Sequence, residues 1–312
     1  MKKKVCAISV SPAIDRTVYV NDFTLDKVNR VSNFCDTPGS KGINVAINLA
    51  GCGFDCTCAG FIGGSGADFI KNHLAGCGVI CDFVPVSYDV RTNMKIVDLK
   101  NKTYTDINFS GGDPTEENSA LLKQKIKKLA SSNSFIAMSG NISGAGLQNL
   151  YKDLINAIKD KDCKVTVDCS GEALRLAAAA NPYAIKPNLE ELNNAFSLNC
   201  KTYSDVKNAA LRLCESGVEN VLVSLDKNGA VAVSGKKAYK IDNCSVDVIN
   251  TVGAGDSFLS GFIYASALNL AYTDRLKYAA SFAQTTVSSL PGTAKNLSDF
   301  AKYVSQINVE EI

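Results

Sequence analysis

The stretch that most restricts what this chain can become is residues 250–258, Asn-Thr-Val-Gly-Ala-Gly-Asp-Ser-Phe, which runs straight into the apolar segment 259–268. Gly253 and Gly255, with only Ala254 between them, let the backbone turn tightly and point successive N–H groups at one spot. The helix that follows adds its free N-terminal donors and the positive end of its dipole. Such a loop binds anions. An acidic side chain inside it is unfavourable unless it has a chemical task, so Asp256 reads as a general base beside a phosphoryl group. The same residues also suit a plain helix start with Asp256 as a first-turn acid.

Upstream, apolar strand-type runs alternate with amphipathic helices, at 5–10, 135–138, 165–168 and 184–185, a rhythm that gives a three-layer α/β domain with a central, mostly parallel sheet. Pro12 ends the first run and leaves Asp15 at the carboxyl edge, where open α/β sheets bind ligands; Asp15 also suits an ordinary turn. Short alternating runs at 17–20 and 28–34, then 84–90, 93–99 and 103–109, read as further strands, with Lys27 and Arg30 the basic side chains of 17–34. Lys41, flanked by Gly39, Ser40 and Gly42 at a helix start, suits an anion held by ammonium and free N–H groups together, or a solvated loop lysine. Asn188 with Glu191 three residues on is a helix-capping pattern.

With 312 residues the chain can bury a large core without staples, and a net charge of +2 without basic blocks argues against nucleic acid or an anionic membrane as partner. Its 12 cysteines lack CxxC spacing and follow too short an apolar start for a signal peptide, which suggests mostly buried, reduced thiols in a cytoplasmic protein. The single histidine, His73, in an expected surface helix, nearly excludes histidine-based nucleophilic chemistry. No P-loop spacing occurs, and Gly63-Gly64-Ser65-Gly66 lacks the flanks of a dinucleotide loop.

The loop at 250–257 resembles the C-terminal signature of the ribokinase-like (PfkB) carbohydrate kinases, and the resemblance extends over nearly the whole chain. It implies one ribokinase-like domain over 1–312 with a small β-lid from about 16–36 and 84–110, ATP and Mg2+ as cofactors, and a homodimer through the lid. Asn250, where the family usually has Asp, resembles the phosphosugar branch, 1-phosphofructokinase and tagatose-6-phosphate kinase. By that resemblance Asp256 is the base and Gly253, Ala254 and Gly255 hold the transferring phosphoryl. Asp15, Gly39, Gly42, Asn44 and Ser139 would contact the sugar, with Lys41, Arg30 and Arg91 on its phosphate. Lys186, Asn188, Ser224, Gly229 and Thr251, with Gly253 and Gly255, would contact the nucleotide, and Glu191 would act on magnesium through water. Ser11, Ser40 and Asp226 depart from the family pattern, at Asn, Gly and Gly respectively. Two other readings stay open: a kinase for a neutral sugar or nucleoside, and a catalytically silent sugar-phosphate-binding module.

Overall fold

Strands apolar at nearly every position must be covered on both faces, and the computed structural model, which describes residues 3–142, 144–290 and 292–312, places them in one ten-stranded sheet. In chain order the strands are β1 (Lys4–Ser9), β2 (Ala13–Val20), β3 (Val31–Gly39), β4 (Asp55–Gly63), β5 (Ile80–Val86), β6 (Arg91–Asp98), β7 (Thr103–Ile107), β8 (Phe135–Ser139), β9 (Lys164–Asp168), β10 (Ala184–Ile185), β11 (Asn220–Ser224), β12 (Ala230–Ser234), β13 (Lys237–Ile241) and β14 (Val309–Glu311). The helices are α1 (Lys41–Gly51), α2 (Ala67–Gly76), α3 (Glu116–Ala130), α4 (Leu150–Ala157), α5 (Gly171–Ala178), α6 (Leu189–Phe196), α7 (Tyr203–Glu215), α8 (Ala254–Ala267), α9 (Tyr272–Val287) and α10 (Leu297–Ala301).

The large sheet runs β14-β13-β12-β11-β10-β9-β8-β1-β4-β5. It is parallel from β5 to β11 and antiparallel from β11 to β14. Alternation along β1 sends Val5 and Ala7 into a core with α1, α2, α8, α9 and α10, and Cys6 and Ile8 into a second core with α3 to α7. These are the three layers.

That alternation also builds the site. Ser9 pairs with Ser139, and Ser139 with Asp168, at the carboxyl ends of adjacent strands. Counting from Val5, Phe135 and Thr166, all of these polar residues share the face covered by α1 and α8. Lys186, just after β10, joins the row. The chain leaves β1 toward β4 on one side and returns to β8 on the other, so this row lies at the switch point of the sheet.

A separate four-stranded sheet runs β3-β2-β6-β7. Its strands depart from the expected boundaries. Residues 28–30 are outside β3, which starts at Val31 and runs on to Gly39. Residues 84–86 belong to β5 of the large sheet, because Val84 pairs with Phe61 there. The cysteines also correct expectation: all 12 are free, but Cys6, Cys56, Cys58, Cys169 and Cys200 are the buried ones, Cys35 is exposed and the rest are half-buried.

Candidate active site

A cleft of about 1460 Å³ opens over the carboxyl edge, from Asp15 and Arg91 at one end, past Asp256, to Asn228 and Gln284 at the other. At its centre, Gly253 is the N-cap of α8 with φ 78°, a left-handed conformation that glycine takes without strain. A Cβ on Gly255 would come within 3.3 Å of Lys186 Nζ, so the absence of a side chain lets the loop approach that ammonium.

Asp256 falls in the first turn of α8 and is 6% exposed. Asn44 Nδ2 donates to Asp256 Oδ2 at 2.7 Å, and one turn further along α1 Asn48 Nδ2 donates to Ser257 Oγ at 3.0 Å. Two asparagines four residues apart face the same way on a helix, and they hold α1 and α8 in register. Burial, and then the neighbouring Asp168 carboxylate, raise Asp256 above the ordinary aspartate range against the pull of Asn44, Lys41 and Lys186. An acid with raised proton affinity is a better base than a solvated one.

Asp168 went unassigned in the sequence, yet it is fully buried and joins two cations. Lys41 Nζ lies 2.7 Å from its Oδ1 and Lys186 Nζ 3.1 Å from its Oδ2. Burial opposes its ionisation, but Lys186 and Lys41 outweigh burial and hold it below the ordinary range. The signal was present: a charged residue ends an apolar strand at the ligand-binding edge. Lys41 is likewise desolvated, and Asp168, Glu191 and Asp256 overcome that to hold its ammonium above the ordinary lysine range. Its nitrogen therefore sits among the carboxylates of the cleft centre, 3.4 Å from Glu191 Oε1, rather than standing free for the sugar's phosphate.

Glu191 forms the capping box that its spacing predicts: Glu191 N donates to Asn188 Oδ1 at 2.7 Å, and Asn188 N donates to Glu191 Oε2 at 2.9 Å. Its other oxygen faces Lys41. The carboxylates of Asp168, Glu191 and Asp256 outnumber the ammonium groups of Lys41 and Lys186. Surplus negative oxygen suits a hard cation such as Mg2+. Among the described residues no cluster of His, Cys, Asp and Glu could cage a metal alone, so such an ion would keep waters and ligand phosphates in its shell.

At the far end, Asn93 Nδ2 donates to Asp15 Oδ1 at 2.8 Å. Gly39 is required beside it, since a Cβ there would fall 2.2 Å from Asp15 Oδ2. Arg91 is half-buried; Nη1 donates to the Phe109 carbonyl at 2.9 Å, and Nε is buried without a partner. No carboxylate lies within ion-pairing distance of it among the described residues. Burial lowers its pKa while Asp15 opposes that, and a guanidinium remains charged regardless.

Arg30, Ser139 and Gly42 are elsewhere. Arg30 is exposed in the segment between β2 and β3, outside the cleft lining. Ser139 is 0% exposed, and its hydroxyl is buried without a partner beneath the cleft floor. Gly42 also lies beneath, where a Cβ would meet the Ile8 carbonyl at 2.3 Å. Because both atoms belong to rigid elements, Gly42→Ala should lower stability by about 1–3 kcal/mol, measurable by urea melts; an unchanged midpoint would contradict this close packing of α1 on β1.

Toward the other end, Asn188, Ser224, Gly229 and Thr251 line the cleft with Asn228, Gln284 and Val287. Asp226 has φ 50°, a left-handed conformation, which accounts physically for glycine being usual there and for an Asp being tolerated.

The sequence pattern described as "pfkB family carbohydrate kinase" matches residues 2–298. The chain belongs to the pfkB family of carbohydrate kinases. It is thus a phosphotransferase enzyme, of a family that generally uses ATP with Mg2+. A 1-phosphofructokinase of Borreliella burgdorferi is 33% identical to this pfkB chain, over 99% of each. A tagatose-6-phosphate kinase of Staphylococcus epidermidis is 29% identical, over 99% of this chain and all of that one. The fold also matches phosphofructokinase-2 of Escherichia coli in complex with fructose-6-phosphate, with TM-score 0.89 and 24% identity over 98% of this chain and 99% of that one.

Proposed function

We propose that this enzyme transfers the γ-phosphoryl group of ATP to a hydroxyl of an already phosphorylated ketohexose, giving the bisphosphate. One observation carries the phosphorylated-substrate reading: Arg91 presents a half-buried guanidinium, with no carboxylate partner among the described residues, at the same cleft end as Asp15. A half-buried guanidinium held only by backbone carbonyls gains most from a dianion.

Asp256 takes the proton of the attacking hydroxyl. The N–H groups around Gly253, Ala254 and Gly255 steady the transferring phosphoryl, and the ammonium groups of Lys186 and Lys41 face the charge in flight. Asp15, oriented by Asn93, accepts hydrogen bonds from sugar hydroxyls. Asp168 and Glu191 would hold Mg2+ through its waters, and the ion would offset the charge of the ATP phosphates. The 1-phosphofructokinase and tagatose-6-phosphate kinase relatives support a ketohexose phosphate as acceptor.

The test is a coupled ADP-release assay with Mg-ATP and fructose 1-phosphate, tagatose 6-phosphate, fructose 6-phosphate, fructose or ribose. Turnover with at least one ketohexose phosphate, far above the free sugars, is expected; preference for a free sugar or nucleoside, or binding without turnover, would overturn the reading.

Glutamine keeps a capping oxygen but not the charge. Glu191→Gln should therefore raise the Mg2+ concentration needed for half-maximal rate about tenfold with little change in melting temperature, as weakened outer-shell ligands do. A lower melting temperature with an unchanged Mg2+ requirement would leave Glu191 as a cap alone.

On the lid, Phe34 and Ile107 share the face of Val18, Ile96 and Met94 and are 58% and 45% exposed. A second copy pairing through the lid would cover them. Sedimentation should then give a dimer that Phe34→Asp dissociates, and a monomeric wild type would exclude it.

A further inference from the structure

Ser40 breaks two local rules at once. As N-cap of α1 its hydroxyl should accept a hydrogen bond from the first turn, but it makes no such bond. Its backbone has φ 144° and ψ 142°, a region where a side chain is strained and glycine is not. The hydroxyl is turned instead to β1, where Ser40 Oγ and Ser9 Oγ share a hydrogen bond at 2.7 Å.

Proton counting then gives a direction. Each hydroxyl has one proton to give. Either hydroxyl can donate in this bond, but Ser9 is 0% exposed and has no other side-chain partner among the described residues, so its proton is satisfied only when it is donated to Ser40 Oγ. Ser40 is half-exposed and lines the cleft, which leaves its own proton free to be donated there. Its position is set by its neighbours: Gly39 abuts the Asp15 carboxylate, and Lys41 reaches Asp168. Ser40 thus lies between the end that grips the sugar and the centre of transfer. Glycine at 40 and alanine at 9 would suit the backbone and the burial better, so the pair makes sense as a device for a ligand oxygen.

We infer that Ser40 Oγ is a specificity-determining donor to an oxygen on the middle carbons of the sugar phosphate, supported from below by Ser9; this rests on the sugar-phosphate reading above. A hydroxyl that donates to one configuration leaves the epimer unpaired, and so separates ketohexose phosphates that differ at a single carbon.

The experiment compares wild type, Ser40→Ala, Ser40→Gly and Ser9→Ala in kcat/KM on fructose 1-phosphate, fructose 6-phosphate and tagatose 6-phosphate, with KM for ATP and melting temperature alongside. Ser40→Ala keeps the strain and loses the hydroxyl; it should drop about tenfold on the best sugar, the size of one hydrogen bond. Its preference among the three sugars should narrow, with ATP KM within about twofold. Ser40→Gly should lose the same selectivity while melting higher than wild type, which separates the hydroxyl's role from that of the backbone. Ser9→Ala should lose about threefold on the best sugar, as a supporting bond does. If Ser40→Ala and Ser40→Gly both keep wild-type kcat/KM and selectivity, the inference is wrong, whatever their stability. Should wild type use only an unphosphorylated sugar, the sugar-phosphate reading fails instead, and a selectivity unchanged by Ser40→Ala on that sugar and its epimers would overturn the Ser40 inference as well.

Discussion

Asp256→Asn is expected to lower kcat by about 10²- to 10⁴-fold, the usual worth of a positioned base, with KM for ATP little changed. The substitution keeps an oxygen to accept from Asn44 Nδ2 and removes only the proton acceptor. A turnover near that of wild type would sink the assignment. Stability should move the other way. Burial beside Asp168 raises the Asp256 pKa, so the folded state holds this proton more tightly than the unfolded chain does. Ionising Asp256 therefore opposes folding above the ordinary aspartate range. Asp256→Asn should melt higher than wild type at neutral pH, and the gap should close as the pH falls below that range, where both forms are uncharged. The same sign puts the acid limb of the pH–rate profile above an ordinary carboxylate, since protonating the base stops the reaction.

Arg91→Ala is expected to cut kcat/KM for the preferred ketohexose phosphate by about two to three orders of magnitude. Truncating one partner of a desolvated, charge-assisted contact removes roughly 2–5 kcal/mol, and each tenfold in rate corresponds to about 1.4 kcal/mol. An unphosphorylated sugar offers no dianion, so its slow turnover should hardly change. Lys41→Ala should behave differently. Its ammonium is 2.7 Å from Asp168 at the cleft centre, so its loss should slow phosphorylated and free sugars alike. Equal losses from Arg91→Ala on both kinds of sugar would assign Arg91 to the lid rather than to a substrate phosphate, because its Nη1 also holds the Phe109 carbonyl.

How far the sequence reveals this site depends on how local each signal is. Gly253, Gly255 and Asp256 lie together at the N-cap and first turn of α8, so the glycine turn that opens this helix could be read directly. The strand-and-helix rhythm likewise showed the layered sheet, since burial on both faces leaves a run such as 135–138 without polar positions. Asp168 carried a local signal, the charged end of an apolar strand, but its partners are not local. It becomes a site residue only when Lys41 and Lys186, 127 residues before it in the first case, are folded onto it. Lys41 was legible as a cation at a helix start, but its direction toward Asp168 was not, since a four-carbon stem there can reach either end of the cleft. Arg30 misled for the converse reason: a basic residue in a suspected lid carries no information about where the lid places it. That residues 84–86 join the large sheet is not legible, because a short apolar run does not reveal which sheet it joins. At Asn188 and Glu191 the local signal was sound, and the capping box is present whatever else Glu191 does.

The measurement that bears most directly on the central claim is phosphorus NMR of the products formed from Mg-ATP and the best ketohexose phosphate. Appearance of ADP together with a second phosphate monoester resonance on the sugar, in equal amounts and absent with Asp256→Asn, is the result expected of a sugar-phosphate kinase using this cleft. ADP formed with inorganic phosphate alone, or a second sugar phosphate arising only from an unphosphorylated sugar, would contradict it.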